Sequence, residues 1–300
     1  MEKNKLYKFA HGAEKGFVWF LWGVLIIYCI SLLIPLIWMI YTSFKRYDEY
    51  YMNPYSLPSE WIFSNYPSVF DKLKITVTSA AGRKTYGVMS MVGYSFLWAT
   101  GFSAFTVFVT TLTAYVFSRY EFFGRKFLFA LGIFVMITPI VGNMPSAMVL
   151  RKTLGVYDNF VFMMITAPST AFSGLHFLLL HAAFKRLSWS YAEAVFVDGG
   201  GHFTALFNIM FPMILPTCVV LFVLNFFSAW NDYSTFMVWM PSYPNLAFGI
   251  YTFQNSAADY GATMPEILAG FVIVMIPTAI LYVCLQNLIV SKFTVGGLKG

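Results

Sequence analysis

The polar segment at residues 184–216 is the part of the chain whose residue types and spacing point most directly to a function. It reads FKRLSWSYAEAVFVDGGGHFTALFNIMFPMILP and lies between two apolar stretches. Ser190, followed three residues later by Glu193, predicts a capping box, in which the Ser hydroxyl accepts from the Glu193 amide and the Glu side chain reaches back. The glycines at 199–201 predict the end of this helix, because glycine tolerates a left-handed cap. A short amphipathic helix held between two long apolar stretches suits insertion into a groove on a partner protein. We call residues 190–201, which form this helix and its end, the knob.

The same sequence carries no pattern typical of catalysis. The phosphate-binding pattern G-x-x-x-x-G-K-[ST] and the zinc-protease pattern H-E-x-x-H are both absent from the 300 residues, so ATP cannot be held by the first route. His176 and His181 are five residues apart and do not share a helical face well, which favours packing over a metal pair. We therefore expect no catalytic residue, no metal site and no cofactor in this chain.

The composition is that of a membrane protein. Apolar residues make up 59% of the chain and charged residues 11%, against about 45–50% and about 25% in an ordinary soluble domain. One soluble core cannot hide that much apolar surface, and the mean hydropathy of +0.68 excludes a disordered chain. Ionisable residues are almost absent from the apolar stretches. The scarcity of ionisable residues in these stretches argues against an ion-coupled secondary transporter. Such a transporter is the alternative function from a different class of protein.

Six charge-free runs are long enough to hold a membrane-spanning helix. They lie between Lys15 and Lys45, Lys84 and Arg119 (with a span from Tyr94 to Phe117), Lys126 and Arg151, Asp158 and Lys185, Asp198 and Asp232, and Glu266 and Lys292. The predicted fold is therefore all-α: a polytopic membrane protein with six transmembrane helices and both ends on one side. Segments on that side carry eleven Lys and Arg in about 60 residues, and the opposite segments carry eight in about 95. This bias predicts cytoplasmic termini.

The chain divides into four regions on this topology. These are a cytoplasmic N-terminus at 1–17, a first transmembrane helix with an extracytoplasmic segment at 18–93, a core of five transmembrane helices at 94–290 that contains the loop at 184–212, and a cytoplasmic tail at 291–300. Within 42–93, three prolines (Pro54, Pro58 and Pro67) are expected to break any long helix. Residues 233–258 are predicted to be an outer loop or a partly buried surface segment instead of a seventh span.

The loop carries a family resemblance. Its Glu193-Ala194-Val195-Phe196-Val197-Asp198-Gly199 sequence, followed by Pro212, resembles the EAA loop of binding-protein-dependent ABC importer permease subunits. Matching segments follow in the family order at Tyr115–Arg119 with Phe123–Lys126, Met136–Pro139, Leu154–Asp158, Trp230–Tyr233 and Gly296–Gly300. Together they are most similar to the maltose-type smaller membrane subunit of the carbohydrate-uptake group. The chain departs from the family pattern with Val195 and Gly200, where alanine is usual, so we expect a reshaped knob.

The resemblance implies a function and a set of partners. The residues implied in coupling to an ATPase are Glu193, Ala194, Val195, Asp198, Gly199 and Gly200. The chain would be a transport subunit and not an enzyme, with ATP and magnesium on a partner ATPase. It would work in a bacterial cell membrane with a different but related membrane subunit, two ATP-binding subunits and an extracytoplasmic solute-binding protein. The expected substrate is a carbohydrate, with a non-sugar solute such as glycerol phosphate or a polyamine as the alternative.

Two further segments are candidates for the translocation path. Pro168, Ser169 and Thr170 interrupt the fourth predicted span, and such breaks either line a cavity or simply kink a helix. Trp230, Asn231 and Asp232 follow the fifth span at its outer end. A role in contacting substrate or binding protein is one interpretation of these three residues. An interfacial anchor explains Trp230 equally well.

Overall fold

A computed structural model describes residues 2–79, 82–138, 142–166 and 171–293, and most of them are helical. The chain forms two compact units. The first comprises Met1–Lys72 and Ser256–Ile273, and the second comprises Leu73–Asn255 and Val274–Gly300.

The first unit begins with a long apolar helix. Helix α1 (Glu2–Thr42) contains a candidate membrane span at Lys15–Thr42, whose mean hydropathy reaches 2.6. At about 1.5 Å per residue, its 28 residues exceed the hydrocarbon thickness of a bilayer. Its apolar side chains are mostly exposed, with Trp19 at 76%. An all-round apolar and exposed helix suits contact with lipid tails.

A buried lysine organises the chain that follows α1. Between α2 (Tyr47–Met52) and α3 (Asn65–Lys72) the chain is not helical, as the prolines in this segment predict. The Lys45 side chain is fully buried, and its Nζ donates to the carbonyl oxygens of Asn53 at 2.6 Å and Pro54 at 3.2 Å. Burial lowers the pKa of Lys45, and nearby Glu49 acts in the opposite direction. Lys45 therefore fixes the start of this segment.

The second unit opens with a short β-hairpin, which the sequence analysis did not predict, in a chain that is otherwise mostly helical as expected. Strands β1 (Ile75–Ser79) and β2 (Gly82–Tyr86) are antiparallel, with Ile75 opposite Tyr86 and Thr76 opposite Thr85. The β1 sequence ITVTS is rich in β-branched residues, which favour strands. The hydroxyls of Thr76 and Thr85 are 3.0 Å apart, so this cross-strand pair adds to the pairing.

The rest of the second unit is helical. Its helices are α4 (Val88–Arg119), α5 (Arg125–Ile137), α6 (Met144–Thr153), α7 (Phe160–Thr166), α8 (Leu175–Arg186), α9 (Ser190–Val197), α10 (His202–Thr204), a π-helical turn (Ala205–Met210), α11 (Phe211–Trp230), α12 (Ser234–Trp239) and α13 (Leu246–Asn255). Helix α14 (Met264–Phe293) begins in the first unit and continues into the second. Helix α4 packs against α8 and α11, and their buried apolar side chains join those of α9 and the π-helical turn in one core.

Four helices among the described residues are long and apolar enough to cross a membrane. They are Lys15–Thr42, Val88–Arg119, His202–Trp230 and Met264–Cys284, which correspond to the predicted spans one, two, five and six. The regions of the third and fourth predicted spans hold the shorter helices α5 with α6 and α7 with α8. The region 233–258 forms α12 and α13, each too short to be a membrane span.

Candidate functional site

The polar segment singled out in the sequence forms a helix with a tight end. Helix α9 stops where Gly199 takes a left-handed backbone conformation, with φ of +83°. The Gly200 amide donates to the Val195 carbonyl at 2.8 Å, and the Gly199 amide donates to the Phe196 carbonyl at 3.1 Å. This pair of hydrogen bonds is the Schellman motif, so the predicted glycine stop is confirmed.

The start of α9 differs from the predicted capping box, which was wrong. Ser190 lies inside the helix, and Trp189 precedes it without a capping side chain. The Glu193 amide donates to the Trp189 carbonyl at 3.1 Å. Ser188 takes the capping role instead, because its hydroxyl accepts from the Ser190 amide at 3.3 Å and lies 2.6 Å from the Ser190 hydroxyl. The Glu193 side chain is exposed and makes no hydrogen bond to any other described residue.

Helix α9 buries one side and exposes the other. Ala192 is fully buried in the core of the second unit, where only a small side chain fits between packed helices. Glu193, Ala194 and Asp198 are exposed, and Val197 is 86% exposed. Glu193, Ala194 and Asp198, three of the predicted coupling residues, therefore form an accessible face with two carboxylates around the apolar Val197, which was not predicted. The predicted residues Val195 and Gly200 are half-buried.

An arginine at the end of α4 holds the chain that leads into α9. Arg119 Nη2 donates to the carbonyl oxygen of Phe184 and, at 2.6 Å, to that of Leu187. These carbonyls end α8, so the guanidinium neutralises the negative end of that helix dipole. The guanidinium also lies 5.7 Å from the centre of the Trp189 ring. Sequence reasoning did not assign this role to Arg119, although an Arg that ends an apolar span was the available signal.

A second contact joins the end of α4 to the residues that follow α9. The Tyr120 hydroxyl lies 2.8 Å from His202 Nδ1, at the start of α10. The His202 ring also packs edge-on against Phe196, with 4.9 Å between ring centres. Tyr120 and Trp189 are in ring contact at 6.1 Å. The end of α4 therefore touches the chain on both sides of the knob.

A π-helical turn connects the knob to the next membrane span. Ala205–Met210 forms this turn, and α11 continues from it without a break. Ala205 and Met210 are fully buried in the core. Such turns are rare inside helices and are frequent at functional sites. No sequence signal predicted this one.

A polar cavity lies at the other end of α11. Its volume is about 260 Å³, and among the residues that line it are Trp98, Arg151, Ser228, Asp232 and Trp239. The Arg151 guanidinium stacks 4.4 Å from the centre of the Trp239 ring. Arg151 keeps its positive charge, because an arginine remains protonated in proteins. The cavity thus combines aromatic walls with one cation and one carboxylate.

The three predicted residues after α11 have different surroundings. Trp230 is buried and stacks on Phe226, with 5.9 Å between ring centres. Asn231 Nδ2 donates back to the Phe227 carbonyl of its own helix at 2.8 Å. Of the three, only Asp232 lines the cavity. Its Oδ1 accepts the Thr235 amide at 3.0 Å, at the start of α12.

The turn before α7 is tied to the same end of the unit. Asp158 has a left-handed backbone, with φ of +55°. Its two carboxylate oxygens accept the amide and the hydroxyl of Ser242, at 3.0 and 2.6 Å, and its own amide donates to the Trp239 carbonyl at 2.9 Å. The segment Leu154–Asp158, noted for its family match, therefore positions the Trp239 side of the cavity.

The remaining candidates are placed as follows. Pro168, Ser169 and Thr170 lie outside the described residues. His181 is in ring contact with Phe129 at 5.1 Å, and His176 Nδ1 lies 3.4 Å from Asn225 Nδ2. Both histidines thus have packing neighbours, as their spacing predicts.

Known ABC transporter permease proteins are similar to this chain along almost its whole length. No protein-family model matches the chain. The probable ABC transporter permease protein YurM of Bacillus subtilis (strain 168) is 27% identical over 284 residues, which cover 93% of this chain and 88% of that protein. The diacetylchitobiose uptake system permease protein NgcG of Streptomyces coelicolor is 24% identical over 304 residues, covering 97% and 92%. Over almost its whole length the chain is thus similar to ABC transporter permease proteins.

The fold of this chain also occurs in a solved structure. A bacterial ABC transporter involved in the import of the acidic polysaccharide alginate contains a chain that superposes with a TM-score of 0.70 at 22% identity, covering 88% of this chain and 93% of the other. At that identity the likeness concerns the fold. The chain is thus an integral membrane protein whose helical fold resembles that of a chain of this importer.

Proposed function

We propose that the chain forms one half of the membrane path of an ATP-driven carbohydrate importer, and that its loop at 184–212 couples it to a separate ATPase. The observation that carries this proposal is the exposed face of α9, where Glu193, Ala194 and Asp198 surround Val197. A short helix with an accessible apolar and acidic face supports insertion into a groove on a partner. ATP and magnesium would be held by that partner.

Movement of the ATPase would reach the membrane helices through the contacts on both sides of α9. Arg119 ties the end of α4 to the end of α8, and Tyr120 ties it to His202, before α11. A displacement of α9 would therefore act on three packed helices together. Alternating access is the two-state change that such a displacement would bias.

The proposed topology has six transmembrane helices with both termini in the cytoplasm of a bacterial cell. The two spans beyond the four candidate helices would come from α5 with α6 and from α7 with α8. The lysine and arginine bias supports the orientation. The regions at 1–17, 18–93, 94–290 and 291–300 would then be the N-terminus, the first helix with its outer segment, the permease core and the tail.

The cavity at Asp232 supports a sugar as the transported solute. Sugar hydroxyls bind well to paired donors and acceptors, here Arg151 and Asp232, while a sugar ring packs on aromatic faces such as Trp98 and Trp239. A volume of about 260 Å³ suits a single sugar ring. A polyamine would favour several carboxylates, and glycerol phosphate several cations. The relative NgcG belongs to a diacetylchitobiose uptake system, which also favours a sugar.

The partners follow from this function. We propose a second, related membrane subunit that completes the path, two ATP-binding subunits below it and an extracytoplasmic solute-binding protein above it. The residues after α11, Trp230 to Asp232, would lie on the side where that binding protein releases solute. The binding protein would supply most of the substrate selectivity.

Co-purification and transport test the proposal together. The tagged full-length chain should bring down an ATPase and a second membrane subunit from its own host membranes. Glu193→Lys should reduce ATPase recovery on the order of tenfold, because a reversed charge stands on the proposed contact face. Glu60→Lys is the matched control, since Glu60 is exposed and belongs to the segment proposed to be extracytoplasmic.

The reconstituted assembly should take up a sugar only with its binding protein and ATP. Uptake by the chain alone, driven by an ion gradient, would instead identify a secondary transporter. Uptake of glycerol phosphate or a polyamine, with sugars excluded, would keep the importer and reject the carbohydrate. Recovery of the ATPase unchanged by Glu193→Lys would reject the coupling face.

A further inference from the structure

A second, larger cavity lies where α4 turns into α5. Its volume is about 670 Å³. The turn after α4 and the first residues of α5 form one wall, and the end of α8 forms the other, with His181 and Lys185. Apart from Lys185, no residue of the loop at 184–212 lines this cavity, and none of its lining residues lines the cavity at Asp232.

Three cations face this cavity with little to neutralise them. Arg125, Lys126 and Lys185 line it, and Glu121 is the one acidic residue in its lining. Within the described part of the chain, no carboxylate lies within 4.0 Å of any of these three cations. The lining therefore carries a formal charge of +3 − 1 = +2. A site with that excess favours an anion.

The other half of the lining is aromatic. Phe122, Phe127 and Phe129 contribute apolar wall, and Phe127 is 70% exposed. Phe129 is held in place by ring contact with Phe177 at 5.9 Å and with His181 at 5.1 Å. A small inorganic anion has no use for this apolar surface. A ligand with a charged head and a hydrocarbon tail would use both parts.

The position along the chain places the cavity at a membrane surface. The candidate span Val88–Arg119 ends two residues before Glu121, the first lining residue. Basic and aromatic side chains just beyond a span occupy the level of the lipid headgroups. This holds whichever side of the membrane the turn faces.

We propose that this cavity binds an anionic phospholipid, with its phosphodiester on Arg125, Lys126 and Lys185 and an acyl chain along Phe127. Free phosphate shares the headgroup chemistry, but the aromatic wall favours the lipid. Bound lipid would join the α4–α5 turn to the end of α8, the helix that leads into α9. The proposal does not depend on the identity of the transported solute.

Native mass spectrometry of the full-length chain in detergent tests it with defined lipids. Phosphatidylglycerol should be retained at least about tenfold more strongly than phosphatidylcholine with the same acyl chains. The triple variant Arg125→Gln, Lys126→Gln, Lys185→Gln should lose that preference. Glu121→Gln should strengthen phosphatidylglycerol binding, because it removes the only lining carboxylate.

A matched control variant removes three positive charges from a different part of the chain. Lys74→Gln, Arg83→Gln, Lys84→Gln changes three cations at the hairpin, where Lys74 and both strand residues are exposed. It should retain the lipid preference of the unmodified chain. Equal binding of the two lipids, or equal loss in both triple variants, would overturn the proposal. Displacement of the lipid by millimolar inorganic phosphate would also overturn it, in favour of a small-anion site. Should the cavity triple variant fail to fold, Glu121→Gln and the lipid comparison still decide.

Discussion

A Cβ atom at Gly200 would lie 2.5 Å from Cγ1 of Val195 and 3.0 Å from the Val195 carbonyl oxygen. These are the two positions at which the loop departs from the alanines usual in the family. The structure links them: the larger side chain at 195 occupies the space that a methyl group at 200 would need. The larger residue at 195 and the smaller residue at 200 therefore compensate each other in volume at the end of α9.

Gly200→Ala should damage the knob unless Val195 is reduced as well. We expect the single substitution to cost about 1–3 kcal/mol locally, as overpacking does, and to lower ATP-driven uptake. The double variant Val195→Ala, Gly200→Ala should recover most of the loss, because the Cγ1 contact disappears while the tight carbonyl contact remains. Uptake and ATP hydrolysis by the reconstituted assembly measure both effects. Additive losses in the double variant would contradict the linkage.

A β-branched side chain at Gly199 should break the coupling through backbone strain alone. Gly199 has φ of +83°, and a Cβ there would have open space around it. Left-handed backbone costs a non-glycine residue about 1–2 kcal/mol, and a β-branched residue avoids it most. We expect Gly199→Thr to retain ATP hydrolysis but to lose uptake. The ratio of solute moved to ATP hydrolysed measures the coupling.

Gly201→Thr is the matched control for that substitution. Gly201 has an extended backbone at the start of α10, with φ of −95° and ψ of 178°, and also has open space for a Cβ. Threonine is a good residue at such a position. This variant should transport normally, and equal defects at 199 and 201 would rule out strain as the cause.

Arg119 should be required for both stability and coupling. Its guanidinium serves two carbonyl oxygens at the end of α8 at once, and hydrogen bonds to a charged group contribute about 1.5–3 kcal/mol each. Arg119→Gln should lower the thermal unfolding midpoint and the coupling ratio, and Arg119→Lys should recover only part, since an ammonium lacks the planar fork. Arg46→Gln is the control, because its ion pair with Asp48 is exposed. A midpoint unchanged by Arg119→Gln would contradict this role.

Two capping-box patterns show how much of the local structure the sequence could predict. At Ser190 and Glu193 the pattern predicted a reciprocal cap that does not form, because the Ser188 hydroxyl already accepts the Ser190 amide. The reach-back half of that motif occurs at Thr263 and Glu266, where the Thr263 amide donates to Glu266 Oε2 at 2.8 Å. The local pattern states which bond is possible, and the surrounding contacts decide whether it forms.

Other features also divide into those that neighbouring residues determine and those that depend on contacts between distant residues. Charge-free apolar runs located the four long spans, and the run of glycines located the helix end at Gly199, since both depend on neighbouring residues alone. The contacts of Arg119 with α8 and the cavity that joins Trp98 to Asp232 depend on residues far apart in the chain. A single sequence does not show which residues that are far apart in the chain lie close together in space. The hairpin also depends on pairing between two strands, which the β-branched residues of β1 favour but do not specify.

Arg151 should matter for the solute and its neighbour Lys152 should not. Arg151 lines the polar cavity and stacks on Trp239, whereas Lys152 is exposed and lies 4.9 Å from the centre of the Tyr157 ring. Loss of one charged hydrogen bond to a sugar is about 1.5–3 kcal/mol, so Arg151→Met should raise the half-saturating solute concentration on the order of 10- to 100-fold. Lys152→Met should leave it unchanged. Similar kinetics for the two variants would remove the cavity from the transport path.

Lys45 should stabilise the first unit in a way that depends on pH. Burial lowers its pKa below the 10.5 of an unfolded chain, so between the two pKa values the unfolded state holds the extra proton. The contribution of Lys45 to the free energy of unfolding is therefore constant below the folded pKa and rises as pH increases toward 10.5. Lys45→Met removes this term together with the bonds to Asn53 and Pro54, so we expect a loss of about 1–2 kcal/mol at neutral pH.

Limited proteolysis of residues 46–64, followed at pH 7, 9 and 10.5, measures that difference. The gap between the unmodified chain and Lys45→Met should widen with pH, because a neutral amine is easier to bury than an ammonium and still donates to the carbonyls. Lys74→Met, at an exposed position, should show no such trend. A gap that narrows as the pH rises would mean that the ammonium form is the better-held one, with Glu49 outweighing the cost of burial.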